Sequence, residues 1–123
     1  MSEQPFEFIP GRTRRSVRVI FRGFWDEGTV QDYLAALRER GAVSVGSSPI
    51  DRALLDMKEC TVQSQAVIES FATIIGDYAA QIREYGVLFP DSALLKLQMK
   101  RLMLPTLTRF FEEEKEALRW LES

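Results

Sequence analysis

The stretch SVRVIFRGFWD, residues 16–26, decides the fold. Val17, Val19 and Phe21 alternate with their neighbours at a period of two, and this spacing with β-branched residues is typical of a strand. A shorter apolar piece, residues 6–9, precedes this strand across a Pro-Gly turn. The pair predicts a hairpin whose first strand lies at a sheet edge, where flanking prolines are tolerated.

A helix is predicted directly downstream of this strand. Asp26 is of the residue type that caps a helix N-terminus, and Gly41 is expected just after the helix ends. The apolar residues between them share one face at spacings of three and four: Val30, Tyr33, Leu34 and Leu37. The small and polar residues 42–49 are typical of a loop.

The rest of the chain alternates between strand-like and helical patterns. Short buried strands are predicted at residues 52–57 and 85–89, and a last strand at residues 107–111. The run Ala53-Leu54-Leu55 taken alone would also permit a helix. A helix is predicted at residues 67–82, with a kink or an early end at Gly76 left open. A third helix is predicted between its cap, Asp91 or Ser92, and Pro105, and a fourth begins with the acidic residues 112–114. The order β-β-α-β-α-β-α-β-α predicts one α/β domain over residues 1–123, with a mixed, mostly parallel sheet of about five strands flanked by four helices.

The composition excludes several kinds of chemistry. The 123 residues carry a net charge of −2, which argues against a protein built to bind nucleic acid. The sequence has no histidine and one cysteine, Cys60, so His-based catalysis and multi-Cys zinc sites are excluded. Cys60 is expected to be an inert thiol, and no metal or cofactor is expected. No run of about 18 apolar residues and no signal peptide is evident, so we expect a cytoplasmic protein without membrane insertion.

The stretch from Val17 to Asp26, followed by a helix and then Ala53-Leu54-Leu55-Asp56, resembles the STAS-like superfamily. That superfamily includes the anti-sigma factor antagonists of sporulation and the cytoplasmic domain of sulfate transporters. The ending from Phe110 to Leu121, with Phe, acids and then Ala-Leu-Arg-Trp-Leu, is similar to a bacterial branch of small, largely uncharacterised STAS-like proteins. The resemblance covers residues 6–122 and implies a non-catalytic module that binds another protein.

One departure from the superfamily bears on regulation. In phosphorylatable antagonists an Asp-Ser-x-Gly motif follows the third strand, and a partner kinase phosphorylates its serine. Here Ser64-Gln65 stands near that position, the Asp-Ser pair is absent, and Val67 replaces the glycine. A conventional serine phosphoswitch is therefore not expected. Thr61 or Ser64 is more simply a helix N-cap, although modification of either stays open.

Ligands of open α/β sheets bind at the carboxyl ends of the strands, which gives the candidate contact residues. These residues, tentative sites for a partner or ligand, are Phe24, Trp25, Asp26, Thr61, Ser64, Gln65, Asp91 and Ser92. Of Phe24 and Trp25, one is expected in the core and the other exposed as a partner anchor. Asp56 is expected to be partly buried or bonded to nearby amides.

Three further possibilities remain open at the level of sequence. A small-ligand or lipid-binding module is the alternative function, although plain core packing is the simpler interpretation. The cavity would be lined by Leu94, Leu95, Met99, Leu102 and Met103 of the Leu- and Met-rich helix. The arginines of residues 12–22 either bind phosphate or, more simply, keep a sheet edge soluble. A homodimer is possible because Trp25, Tyr33, Tyr78 and Tyr85 offer much aromatic surface for one small core.

Overall fold

A computed structural model of the chain describes residues 4–11, 15–43, 50–78, 81–104 and 106–123. Two strands come first, and helices and strands then alternate. The strands are β1 (Phe6–Pro10), β2 (Ser16–Gly23), β3 (Ile50–Cys60), β4 (Ile82–Leu88) and β5 (Thr108–Phe111). The helices are α1 (Glu27–Val43), α2 (Gln65–Tyr78), α3 (Ala93–Leu102) and α4 (Glu114–Glu122).

The strands form one sheet in the same order as they occur in the chain, from β1 to β5. β1 runs antiparallel to β2 at one edge, and the neighbours from β2 to β5 are parallel. Parallel neighbours require a crossover, and α1, α2 and α3 supply one each. The predicted element order and the mixed, mostly parallel sheet are confirmed.

Helices cover both faces of the sheet. The larger core joins alternate residues of the strands, such as Val19, Leu55 and Val87, to Tyr33 of α1 and the apolar faces of α2 and α3. The smaller core lies on the opposite face, where α4 packs with these buried residues: Leu54, Leu88, Ala117, Trp120 and Leu121. Because β3 and β4 are covered on both sides, their central residues read as continuous apolar runs.

The aromatic residues near β1 and β2 pack together in the larger core. Trp25 lies 5.1 Å from Phe71 and 5.4 Å from Tyr33, measured between ring centroids. Trp25, Tyr33 and Tyr85 are all buried, and Tyr78 packs against the same cluster. The aromatic content therefore gives no reason for a dimer, and the homodimer stays a prediction.

Two predicted boundaries around α2 need correction. Helix α2 ends at Tyr78, and Ile82 opens strand β4, where it pairs with Ile50. Ile82 follows Tyr78 at a helical spacing and packs on the same core, so its apolar character could not separate helix from strand. β3 is also longer than residues 52–57, because pairing with β2 and β4 extends it over polar residues at both ends.

Two other predicted boundaries concern helix ends. Helix α1 continues through Gly41 to Val43, so Gly41 is not the residue after the helix. Of the predicted loop at 42–49, residues 44–49 lie outside the described part of the chain, as does Pro105. Helix α3 ends at Leu102, ahead of that proline.

Candidate functional site

The candidate contact residues lie where the parallel strands end. β2, β3 and β4 each run into a loop that leads to a helix N-terminus, at residues 24–26, 61–64 and 89–92. Phe24, Trp25 and Asp26 occupy the first loop, Thr61 and Ser64 the second, and Asp91 and Ser92 the third. We call these three loops the carboxyl edge.

Phe24 and Trp25 point in opposite directions. Gly23 ends β2 with a φ of 73°, a conformation that favours glycine, and turns the chain there. Trp25 is 1% exposed and its indole N–H donates to the carbonyl of Arg22 at 3.0 Å, whereas Phe24 is 66% exposed. The expected division between one core and one exposed aromatic is confirmed. Trp25 is the core residue, so its side chain is not accessible to a partner.

Three of the candidate residues cap helices. Asp26 accepts hydrogen bonds from the backbone N–H and hydroxyl of Thr29 at 2.8 and 2.9 Å, and these bonds lower the pKa of its carboxyl. Ser64 accepts from the N–H of Val67, and Ser92 accepts from the N–H of Leu95, each at 3.2 Å. The capping interpretation of Asp26, Ser64 and Ser92 is therefore confirmed by their geometry.

The remaining candidates are exposed and weakly held. Thr61 and Gln65 are exposed beside the cap of α2. Asp91, whose side chain is 92% exposed, lies 3.7 Å from the ammonium of Lys58. A surface pair of this kind contributes little to stability, so these side chains are accessible for contacts.

Gln63, which the sequence did not single out, holds the carboxyl edge together. Its side-chain oxygen accepts from the backbone N–H of Trp25 at 2.9 Å, and its amide nitrogen donates to the carbonyls of Gly23 and Thr61 at 2.9 and 2.7 Å. Its own carbonyl accepts from the side-chain amide of Gln98 on α3 at 3.3 Å. Gln63 is 5% exposed, and a glutamine three residues after a strand carries no pattern that distinguishes this role.

A register shift in the sheet places Gln63 under the first loop. The pairing of β2 with β3 shifts between Ile20 and Arg22, so that Gly23 lies opposite Cys60. The N–H of Thr61 then donates to the carbonyl of Gly23 at 3.3 Å. The loops after β2 and β3 are thus bonded to each other directly as well as through Gln63.

Cys60 lies at this junction as a buried free thiol. It is 5% exposed, and burial raises its pKa to about 11, since a thiolate is poorly solvated there. A thiol with a raised pKa is a weak nucleophile at neutral pH, as expected for an inert cysteine.

The arginines of β2 belong to ion pairs on the face that carries α4. Arg18 donates twice to the same carboxylate oxygen of Asp56, at 3.0 and 2.6 Å, and also contacts Glu114 at 3.3 Å. Arg22 pairs with Glu7 and Glu59. Asp56 is 2% exposed and accepts from the N–H of Lys58, which agrees with the expected bond to a nearby amide. Arg12 and Arg14 lie outside the described residues.

The helix proposed as a cavity lining is mostly core. Leu95, Met99, Leu102 and Met103 are buried in the larger core, as the simpler interpretation predicted, and Leu94 is 57% exposed. The ligand-binding alternative stays a prediction.

Two features are absent from the described residues. No group of three or more acidic or cysteine side chains there is arranged to hold a metal ion. Among the same residues, no helix combines the length and apolar character needed to cross a membrane.

The architecture matches a known fold. A crystal structure of an uncharacterized protein of the DUF3478 family with a SpoIIAA-like fold, from Shewanella loihica PV-4, aligns at a TM-score of 0.72 over 98% of both chains. The chain has a SpoIIAA-like fold. The expected STAS-like architecture is thereby confirmed, and the 16% sequence identity extends the likeness to the fold alone. No protein-family model and no curated protein sequence matches the chain.

The SpoIIAA-like sheet brings the candidate residues to one edge in two groups. Phe24, Thr61 and Ser64 lie on loops that hydrogen bonds join directly. Asp91 and Ser92 belong to the third loop, and the Gln98–Gln63 bond ties the helix after it to the second. The resulting surface is held by hydrogen bonds and mostly polar, and of the aromatic residues in its three loops Phe24 is the exposed one.

Proposed function

We propose that this protein is a non-catalytic interaction or regulatory module that binds another protein at its carboxyl edge, in the bacterial cytoplasm. The observation that carries the proposal is the 66% exposed side chain of Phe24, held on a loop whose two flanking residues are both fixed by Gln63.

The rigidity of this loop favours binding. The neighbours of Phe24 are fastened through the carbonyl of Gly23 and the N–H of Trp25, so the Phe24 backbone is positioned before a partner arrives. An aromatic side chain on a fixed backbone loses little conformational entropy when it enters a pocket. Such anchors supply much of the binding free energy in protein interfaces.

The surroundings of Phe24 suit an interface. Val62, 36% exposed, lies on the adjoining loop, and Thr61, Ser64 and Gln65 are exposed polar residues around it. An apolar centre within a polar rim is the usual anatomy of a protein–protein contact.

Regulation by a conventional serine phosphoswitch is not part of the proposal. Ser64 already accepts the N–H of Val67 as the cap of α2, and Val67 is 2% exposed in the core. The partner is expected to recognise the unmodified edge.

The test places a photo-crosslinker at the anchor. The chain carrying p-benzoylphenylalanine at Phe24 is expressed in its native host and irradiated, with the same crosslinker at exposed Ala72 on α2 as the matched control. A protein captured at position 24 and not at 72 is then purified. Its affinity for the Phe24→Ala variant should fall at least about tenfold, which is about 1.4 kcal/mol, while Thr73→Ala binds as the wild type does. No position-specific capture, or an affinity that Phe24→Ala leaves unchanged, overturns the proposal.

A further inference from the structure

Helix α3 carries apolar side chains on two opposite faces. Leu95, Met99 and Leu102 are buried in the larger core at spacings of four and three. On the outward side, Leu94 is 57% exposed, Leu97 51% and Leu104 79%. A helix that packs on one side of a sheet has no need of leucines on its solvent side, so the outward set requires another explanation.

The outward leucines have the spacing of a helix-packing seam. Leu94, Leu97, Arg101 and Leu104 follow one another at intervals of three, four and three residues, the spacing with which helices interlock. Leu104 lies two residues beyond the end of α3, in a turn that its N–H closes by donating to the carbonyl of Arg101 at 3.3 Å. We call these four residues the outer α3 seam. It spans about 15 Å, or three helical turns.

The charge of the seam is positive, and no carboxylate of the described residues compensates it. Arg101 lies in the seam and Lys100 flanks it, and both are exposed. Neither forms an ion pair with a carboxylate of the described residues, whereas Lys96, one turn earlier, pairs with Glu112 at 2.5 Å. The ammonium of Lys100 lies 5.6 Å from the centre of the Phe89 ring, which keeps this charge beside the seam.

We propose that the outer α3 seam binds an acidic amphipathic helix of a partner protein. The leucines would interlock with apolar side chains of that helix, and its carboxylates would meet Lys100 and Arg101. This surface is separate from the carboxyl edge, and its residues are not those of the interaction proposed there.

Two other occupants suit the seam less well. A second copy packed through the same seam would bring Lys100 and Arg101 of both copies together, and like charges across an interface are unfavourable. An anionic lipid surface would also attract Lys100 and Arg101. A helix that lies on a membrane surface needs a broad apolar face, however, and the outer α3 seam is a narrow column of leucines.

The test selects partners by their chemistry. A displayed library of three-heptad helices, randomised at the positions that face a partner, is selected on the purified chain. The enriched helices should carry leucine-like residues in their seam with Asp or Glu beside it. A synthetic peptide of the enriched sequence should shift the amide NMR signals of α3, and the Lys100→Glu/Arg101→Glu variant should bind it at least about tenfold more weakly.

The controls separate this binding from a general effect of charge. Lys115→Glu/Arg119→Glu on α4 changes the net charge by the same amount and should leave the affinity unchanged. Leu97→Ser/Leu104→Ser should abolish binding. The unfolding transitions of this variant and of the wild type should both be cooperative, which shows that the variant is folded. Enrichment of basic or uncharged helices, no enrichment, or signals that shift outside α3 would contradict the proposal. So would self-association, or adsorption to phosphatidylglycerol vesicles, that Lys100→Glu/Arg101→Glu removes.

Discussion

The indole ring of Trp120 lies directly on Gly86. A Cβ atom at position 86 would be 2.5 Å from Cζ3 and 2.9 Å from Cη2 of that ring, closer than real contacts allow. The ring is also capped by the guanidinium carbon of Arg52, 5.0 Å from its centroid, and Arg52 donates to the carbonyl of Trp120. Because Gly86 has no side chain, Trp120 of α4 can pack directly on the backbone of β4.

Gly86→Ala should lower the free energy of unfolding by about 1–3 kcal/mol, because the added methyl overpacks a rigid ring. Urea denaturation measures the change. Gly76→Ala is the matched control, since a Cβ there meets nothing within 4 Å, and in the last turn of α2 it should stabilise the fold by less than about 1 kcal/mol. In a Trp120→Ala background, Gly86→Ala should cost nothing further. A full penalty in that background would show that the ring is not the cause.

Arg18→Met should destabilise the fold by about 3–5 kcal/mol, because it leaves the carboxylate of Asp56 buried without its cation. The side chain of Asp56 is 4% exposed, so water cannot replace the lost partner. The double variant Arg18→Met/Asp56→Leu should lose less free energy of unfolding than Arg18→Met alone, as denaturant titration would show. Arg83→Met, which breaks the exposed pair with Asp51, should cost less than about 1 kcal/mol. Equal losses for the buried and exposed pairs would refute the assignment.

Gln63→Glu should make stability strongly dependent on pH. A carboxylate accepts from Trp25 as the amide does, but it cannot donate to the carbonyls of Gly23 and Thr61. Only the protonated acid restores one donor, so the variant should be closest to wild type near about pH 5 and lose stability toward about pH 8. Thermal unfolding at the two pH values measures the effect, and Gln65→Glu, at an exposed position, is the control. A pH-independent loss would contradict the network.

Cys60 should make the wild type less stable in alkali. Burial raises its pKa from the ordinary 9.0 to about 11, so the unfolded chain loses the thiol proton first as pH rises. The contribution of the protonated thiol to the free energy of unfolding is complete below pH 9 and is lost between pH 9 and about 11. For each protein, the free energy of unfolding at about pH 10 is compared with its value at neutral pH. The decrease should be about 1 kcal/mol larger for the wild type than for Cys60→Ala. Parallel pH profiles for the two proteins would rule this out.

The layered α/β architecture could be predicted from the sequence because its signals are local. The alternation of Val17, Val19 and Phe21 and the caps Asp26 and Ser92 each depend on a few neighbouring residues. The strand boundaries at Ile50 and Ile82 could not be predicted, because these two residues become strand by pairing with each other across 32 positions of sequence.

The location of the candidate site could be predicted from the sequence, but only some of the residues that form it could be. Strand order puts Phe24, Ser64 and Asp91 at one edge, and that much follows from the succession of elements. The role of Gln63 depends on a one-residue register shift between β2 and β3, which no local pattern encodes. The pairing of Arg18 with Asp56 likewise depends on the register of β2 against β3, in which Arg18 lies opposite Leu54.

Because each strand lies beside the one synthesised just before it, the sheet can grow outward during translation. Once β2 and β3 have left the ribosome, they can pair with each other. Each later strand can then pair with a neighbour that has already been synthesised. Leu54 and the Arg18–Asp56 pair remain uncovered on the other side until the ribosome has released α4. The order of strands thus makes closure of that second face a late event in the assembly of the domain.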